Sequence, residues 1–288
     1  MRAVSLLPFL VLAATACGRA TSGDPDGGGG PDASTGPDAF RPDADIADFS
    51  KVYAHSGTVL YRLDTTTLMP VEVGPFTNLG TQSMTDIAID KNDRMLGVTL
   101  TKVFEVDETT GACTHRADLE LGTPNVTSLS FVPVDLNQPD GTEILVAATD
   151  DGSVYQLDPT TGASTLIGSY GTTGNGQLIR SSGDIVAVRG LGILATVTVG
   201  DTLTDPDYLA LIDPADWHAT LLGSGASYDK IFGVGFWRDT IYGFVDLGAG
   251  AGGAIIALDR VTGGATLVNQ GTVRWYGAGV TTNAPVVD

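Results

Sequence analysis

The sequence predicts an all-β chain folded as a five-bladed β-propeller of four-stranded antiparallel blades. Three observations predict it. A strand phrase occurs five times, as Leu60–Asp64, Val103–Asp107, Val154–Asp158, Leu209–Asp213 and Ile255–Asp259. Three copies run into a Thr-Gly turn that ends at Gly111, Gly162 and Gly263. Each phrase also sits among further short apolar runs. A strand-built unit recurring at this period means radial repetition.

The elements follow in order. The second repeat reads as strands 86–89, 95–98, 103–106 and 113–119. The third gives 129–132, 144–147, 154–157 and 164–167, and the fourth 185–188, 193–196, 208–212 and 219–222. The fifth gives 234–237, 241–244, 255–258 and 265–268. Each is a four-stranded meander. Its inner strands are almost continuously apolar, as strands covered on both faces are. The first repeat holds only 52–54, 60–63 and 71–73, and lacks its innermost strand. Tyr276–Val280, near the other end, supplies it and closes the ring, which hides an otherwise open sheet edge. The repeated aspartates lie 43, 51, 55 and 46 residues apart, a fixed unit with loop insertions. Residues 49–288 give 48 residues per blade, close to the ~40–50 of propeller repeats.

The turn after the phrase has its own chemistry. An Asp side chain accepts hydrogen bonds from the amides just ahead of it, forming an Asx-turn. The glycine supplies the positive φ the hairpin needs. The five aspartates therefore read as fold markers rather than catalytic or metal-binding carboxylates. In the fourth repeat Ala215-Asp216-Trp217 replaces Thr-Thr-Gly.

Tyr-x-Leu-Asp, Thr-Thr-Gly and a closing Ala-Thr-Leu strand resemble the repeats of secreted bacterial propellers, among them the YVTN, quinoprotein-type, NHL and gluconolactonase-like groups. The resemblance covers about 49–288 and implies the fold. No quinone-cofactor signature, WD dipeptide or Kelch glycine set accompanies it, so it implies no cofactor. The fold hosts binding modules and enzymes alike.

Residues 1–16 read as a signal segment, with Arg2 as a minimal positive start and an apolar run from Val4 to Ala14 too short to span a bilayer. It ends Ala14-Thr15-Ala16-Cys17, which resembles a bacterial lipobox, with Ala14 where that family more often has Leu. The resemblance implies lipidation at Cys17 and a lipid anchor in the cell envelope. Gly18 then implies the outer membrane of a Gram-negative bacterium. The alternative is an ordinary secretory signal cleaved near Ala16. Residues 17–48 carry a glycine run, three Pro-Asp-Ala triplets and seven Asp against two Arg. Such a segment reads as a disordered tether.

The chain of 288 residues has a formal net charge of −19, which disfavours a non-specific grip on nucleic acid. Cys17 and Cys113 are not expected to pair, one lying at the membrane and the other in a blade. His55, His115 and His218 fall in different repeats without paired ligand spacing, so no metal is expected. The acidic stretch 135–143 has calcium-loop composition without the spacing and reads as a hairpin loop.

A site is expected on the face made by loops leading into the innermost strands and by loops joining the second and third strands. Tyr170, Arg180, Tyr228, Asp229, Arg274, Trp275 and Tyr276 lie there. Aromatic faces beside polar groups suit a carbohydrate or polar peptide. At matching inner-strand starts stand Asp86, Ser128, Asp184, Gly233 and Gly277. Two carboxylates near an axis are what a glycosidase uses, so Asp86 and Asp184 are candidate acid and base. The leading expectation is a non-catalytic surface binding module for a carbohydrate or envelope protein. The alternatives are a glycoside hydrolase or lyase, and an envelope scaffold subunit.

Overall fold

The structure is a computed structural model that describes residues 51–282, apart from 65, 122–123, 139–140, 189 and 201–204. The signal segment 1–16, Cys17 and the 17–48 tether lie outside the described residues.

The fold is all-β, with five sheets of four antiparallel strands. The first blade is β1 (Val52–His55), β2 (Val59–Leu63) and β3 (Pro70–Pro75). The second is β4 (Asp86–Ile89), β5 (Met95–Val98), β6 (Lys102–Val106) and β7 (Cys113–Asp118). The third is β8 (Val126–Pro133), β9 (Glu143–Thr149), β10 (Ser153–Leu157) and β11 (Ser164–Ser169). The fourth is β12 (Ile179–Val188), β13 (Gly192–Val199), β14 (Tyr208–Ile212) and β15 (Ala219–Leu221). The fifth is β16 (Ile231–Trp237), β17 (Thr240–Gly248), β18 (Gly252–Leu258) and β19 (Ala265–Gly271). The last strand, β20 (Gly277–Val280), pairs antiparallel with β1, His55 opposite Gly277. The expected closure of the first blade by the C-terminal strand is thus present.

Three inner strands start earlier than the sequence reading placed them. β8 begins at Val126, β12 at Ile179 and β16 at Ile231, each with a bulge below its first residues. Polar Arg180, Ser181 and Ser182 hid this strand, although Ile179 and Ser181 face inward and are buried. Arg180 consequently stands in a strand rather than a loop.

Between each pair of neighbouring blades lies a separate hydrophobic cluster, five among the described residues. Phe104 and Met95 pack on Leu60 between the first two blades; Trp237 and Phe244 pack on Val52 where the last blade meets the first. The core is therefore a ring of interfaces, and each inner strand is buried on both faces.

The phrase makes its expected turns. The Asp107 carboxylate accepts from the amides of Thr109 (2.8 Å) and Thr110 (3.1 Å), and Asp259 from Val261 and Thr262 (both 2.8 Å). Asp64, Asp158 and Asp213 do the same at their own turns. The glycine has a second duty the phrase does not disclose. Gly162 has φ +76°, and a Cβ there would also collide with the Asp118 carbonyl of the preceding blade. The turn is pressed against its neighbour, so conformation and packing both select glycine. In the fourth blade Trp217 takes this place at φ +66°, with its ring buried between the third and fourth blades.

Ring closure generates a prediction. A chain ending at Arg274 would lack Trp275 and β20, and would expose the inner edge of β1 and the flanks of β4 and β16. It should show no cooperative thermal transition by circular dichroism. A transition within a few degrees of the intact protein would refute closure as the stabilising step.

Candidate functional site

The five inner strands present one residue each at the same level around the axis: Asp86, Ser128, Asp184, Gly233 and Gly277. All are buried. Asp86 and Asp184 do not face solvent. Asp86 accepts from the amides of Ile87 (2.9 Å), in its own strand, and Leu129 (2.6 Å), in the third blade; Ala278 of the first blade also bonds to it. Asp184 accepts from Ile185 (2.6 Å) and from Val234 (3.1 Å) in the fifth blade. Each carboxyl therefore stitches neighbouring blades together.

The two carboxyls also meet each other across the axis. Burial, before any other cause, holds both well above the usual carboxylate range, and the Asp86 charge raises Asp184 further. Two buried carboxyls that interact disfavour joint ionisation, so the pair retains a proton above the ordinary carboxylate range. His55 adds no proton. Its Nδ1–H donates to the Ser56 carbonyl (2.8 Å), which fixes the tautomer and leaves Nε2 a bare acceptor 3.7 Å from Asp86 Oδ1. Nε2 has no hydrogen-bond partner, and burial lowers the imidazole to about 4. Gly277 lies opposite His55, and a Cβ there would strike both Nε2 and Asp86 Oδ1.

This arrangement corrects the expectation that Asp86 and Asp184 flank a scissile bond. Every carboxylate oxygen is engaged by a backbone amide. Beyond the pair the channel narrows to a cavity of about 10 Å³, lined by Leu129, Ile185 and Ala278 among others. That volume is no more than one water molecule needs. No substrate reaches these carboxyls in this structure, and no group of three or more metal-ligating side chains occurs among the described residues.

Directly above the ring the channel opens into a pocket of about 640 Å³, within the size range of small-molecule sites. All five blades contribute a residue one or two positions before the buried ring: Thr85, Thr127, Ser182, Phe232 and Tyr276. Gln82 and Thr101 form one side and hydrogen-bond each other (2.9 Å). Leu100, half exposed, forms part of the rim. The lining carries no Asp, Glu, Lys, Arg or His. Phe232 and Tyr276 meet edge to face, with centroids 6.3 Å apart.

Tyr276 is held from behind. Arg274 lies over its ring at 5.8 Å and forms a two-pronged ion pair with Asp246 (2.7 and 2.6 Å). Burial would raise the Asp246 carboxyl, but the guanidinium and the Gly248 amide bring it below its ordinary value. Nearby, Asp207 accepts from the Ile231 amide (2.8 Å) under the loop that delivers Phe232, and burial pushes it up to about 7.

Of the expected ligand residues, Tyr276 alone lines this pocket. Tyr170 and Trp275 are corrected: both are almost fully buried. Tyr170 packs between the third and fourth blades, and Trp275 stacks edge-on against Tyr61 (5.3 Å) and Phe244 (5.6 Å). Apolar bulk on a short loop was drawn into an interface rather than displayed. Arg180 donates to the carbonyls of Gly200 (2.9 Å) and Asp150 (3.2 Å), tying two loops together. Tyr228 packs against the cluster between the fourth and fifth blades, and Asp229 pairs with Lys230 (2.8 Å). Thr85, Thr127, Ser182 and Phe232 were not singled out from sequence. Their signal was positional, one or two residues before the matching inner-strand starts.

No protein-family model and no curated protein matches the sequence. Some solved structures are similar at a distance. A structural-genomics protein of unknown function from Bacteroides thetaiotaomicron is 13% identical, with TM-score 0.44 over 67% of this chain and 53% of that one. A protein of unknown function from Bacteroides caccae is 11% identical, with TM-score 0.39 over 77% and 72%. A protein from Lactobacillus plantarum is 14% identical, with TM-score 0.39 over 80% and 71%. The chain spans about half the length of the first of these. The class defined by fold is the five-bladed β-propeller.

The acid pair generates a pH prediction. Its folded value exceeds the unfolded 3.8, so the folded state keeps a proton the unfolded chain releases, and stability falls as pH rises. Asp207 acts in the same sense up to about pH 7. His55, lowered from 6.5 to about 4, acts oppositely, its contribution growing between those values. Above pH 7 the pair alone of these groups remains. Unfolding stability should fall as pH rises above the unfolded 3.8, by up to about 1.4 kcal/mol per pH unit for the one proton the folded pair retains. Asp184→Asn, which replaces the shared proton with a permanent donor, should flatten that slope. Asp184→Ala should be about 3 kcal/mol less stable at pH 6, because two buried amides lose their acceptor. Denaturant titrations at both ends of the range check this, and equal slopes in wild type and Asp184→Asn would sink the shared-proton account.

Proposed function

We propose that this protein is a non-catalytic binding module of the bacterial cell envelope, lipid-anchored through Cys17 and carrying its ligand in the mouth of the propeller channel. The observation that carries the reading is the separation of two layers. The chemistry-bearing carboxyls are sealed beneath the floor with amides on their oxygens. The open layer above them carries hydroxyl, amide and aromatic groups and no titratable acid or base suited to a cleavage reaction.

Such a lining binds by stacking and hydrogen bonding, which suits a carbohydrate better than a charged peptide. The Tyr276 ring, clamped by Arg274, is the stacking surface. The lipobox-like sequence and the acidic tether support display away from a membrane. The tether's negative charge disfavours its contact with an anionic surface.

Two outcomes are expected. The full-length protein should bind members of a glycan array without altering them, as judged by mass spectrometry of the recovered sugar, and Tyr276→Ala should weaken binding about tenfold. Release of a shortened sugar would instead favour a hydrolase. In cells, Cys17→Ala should move the protein from the membrane pellet to the soluble fraction. An unchanged distribution would refute the lipid anchor.

A further inference from the structure

The mouth is a dead end. A ligand entering it meets the buried ring of Asp86, Ser128, Asp184, Gly233 and Gly277. The space on the far side holds about 10 Å³, so no chain threads through. A closed pocket with one opening accepts the end of a chain and excludes its middle, because an internal segment must leave by a second path.

The electrostatics narrow the ligand further. Asp86 and Asp184 lie under the floor with backbone amides on their oxygens, and no Lys or Arg side chain bonds to either carboxyl among the described hydrogen bonds. No cationic side chain lines the pocket above, and the whole chain carries −19. An anionic group brought into this mouth would lose its hydration with no cation in the lining to pair it. A cationic group would find no carboxylate oxygen exposed, and Arg274 already occupies one side of the Tyr276 ring.

The lining supplies what an uncharged polyol needs. Thr85, Thr127 and Ser182 place hydroxyls on three successive blades; Thr127 donates its proton to the Ala148 carbonyl (3.2 Å) and so meets a ligand as an acceptor. Phe232 and Tyr276 occupy the remaining two, with planes 80° apart. One side of the mouth offers hydrogen bonds and the other offers ring faces for C–H surfaces, which is the two-sidedness of a sugar ring. Tyr276 is fixed by the Arg274–Asp246 ion pair, so little ordering remains to be done on binding.

Resting on the binding-module reading above, we propose that the channel mouth recognises the uncharged terminal unit of a glycan chain. Internal units and acidic termini are excluded, the first by the closed floor and the second by a lining that holds no cation to pair them.

The test uses the full-length protein and a panel of immobilised and soluble oligosaccharides. Linear neutral oligosaccharides are compared with the same chains ending in a uronic or sialic acid, with chains ending in an amino sugar, and with neutral cyclic glucans that have no end. Expected are binding of linear neutral chains, at least tenfold weaker binding of acid-terminated ones, and none of cyclic ones. Tyr276→Ala and Ser182→Ala should each weaken binding of the neutral chain, with an unchanged thermal midpoint showing that the fold survives. Equal affinity for cyclic and linear glucans, or preference for acidic or amino termini, overturns the inference while leaving a carbohydrate-binding module standing. Binding untouched by both substitutions places the ligand elsewhere and also overturns it. Absence of binding to every glycan overturns the underlying reading itself.

Discussion

The structure depends on carboxyl-to-amide hydrogen bonds at the axis. Inner strands of neighbouring blades do not pair as a sheet, so their amides at the ring have no ladder partners there. A buried amide without an acceptor is unfavourable by about 1–3 kcal/mol. Asp86 answers the amides of Leu129 and Ala278 in the two flanking blades, and Asp184 that of Val234. Two side chains thereby tie all five blades together at the level where the channel is narrowest. Gly277 and Gly233 leave the room: a Cβ at the first would strike Asp86, and at the second the backbone of Ala278, 2.7 Å away.

Those same bonds set what the centre can do. Two carboxyls placed face to face in a dry site form the arrangement that aspartic proteases use, where like charges force one acid to stay protonated. Catalysis also needs an open lone pair and a route for water. Here the lone pairs are directed at amides and the route is closed on both sides. The same residue types serve as mechanism in one environment and as a plug in another, the difference being solvent access and hydrogen-bond saturation.

Function is displaced one layer outward. One or two residues before each ring position, a half-buried side chain faces the mouth. Five blades thus offer five side chains to a common space, and their identities differ although their backbones repeat. Radial symmetry builds the cup, and departures from it make a sugar-like contrast of hydroxyl and aromatic sides. Loops behind the cup are stiffened by Arg180, by the Arg274–Asp246 pair and by Asp207 under the strand that carries Phe232.

Taken alone, the sequence determined the number of blades, their four-strand composition, the split first blade and the role of the phrase aspartates. These are local or periodic properties: apolar runs, Asx-turns and glycines with positive φ leave their pattern in the chain itself. The strand start at Ile179 was hidden by the polar Arg180, Ser181 and Ser182, which a bulge turns alternately in and out. The tertiary structure alone decided that Asp86 and Asp184 are capped and in contact, that Tyr170 and Trp275 are interface filler, and that Thr85, Thr127, Ser182, Phe232 and Tyr276 share one pocket. Those facts join residues separated by up to about 190 positions, and only the closing of the ring sets the distances between them.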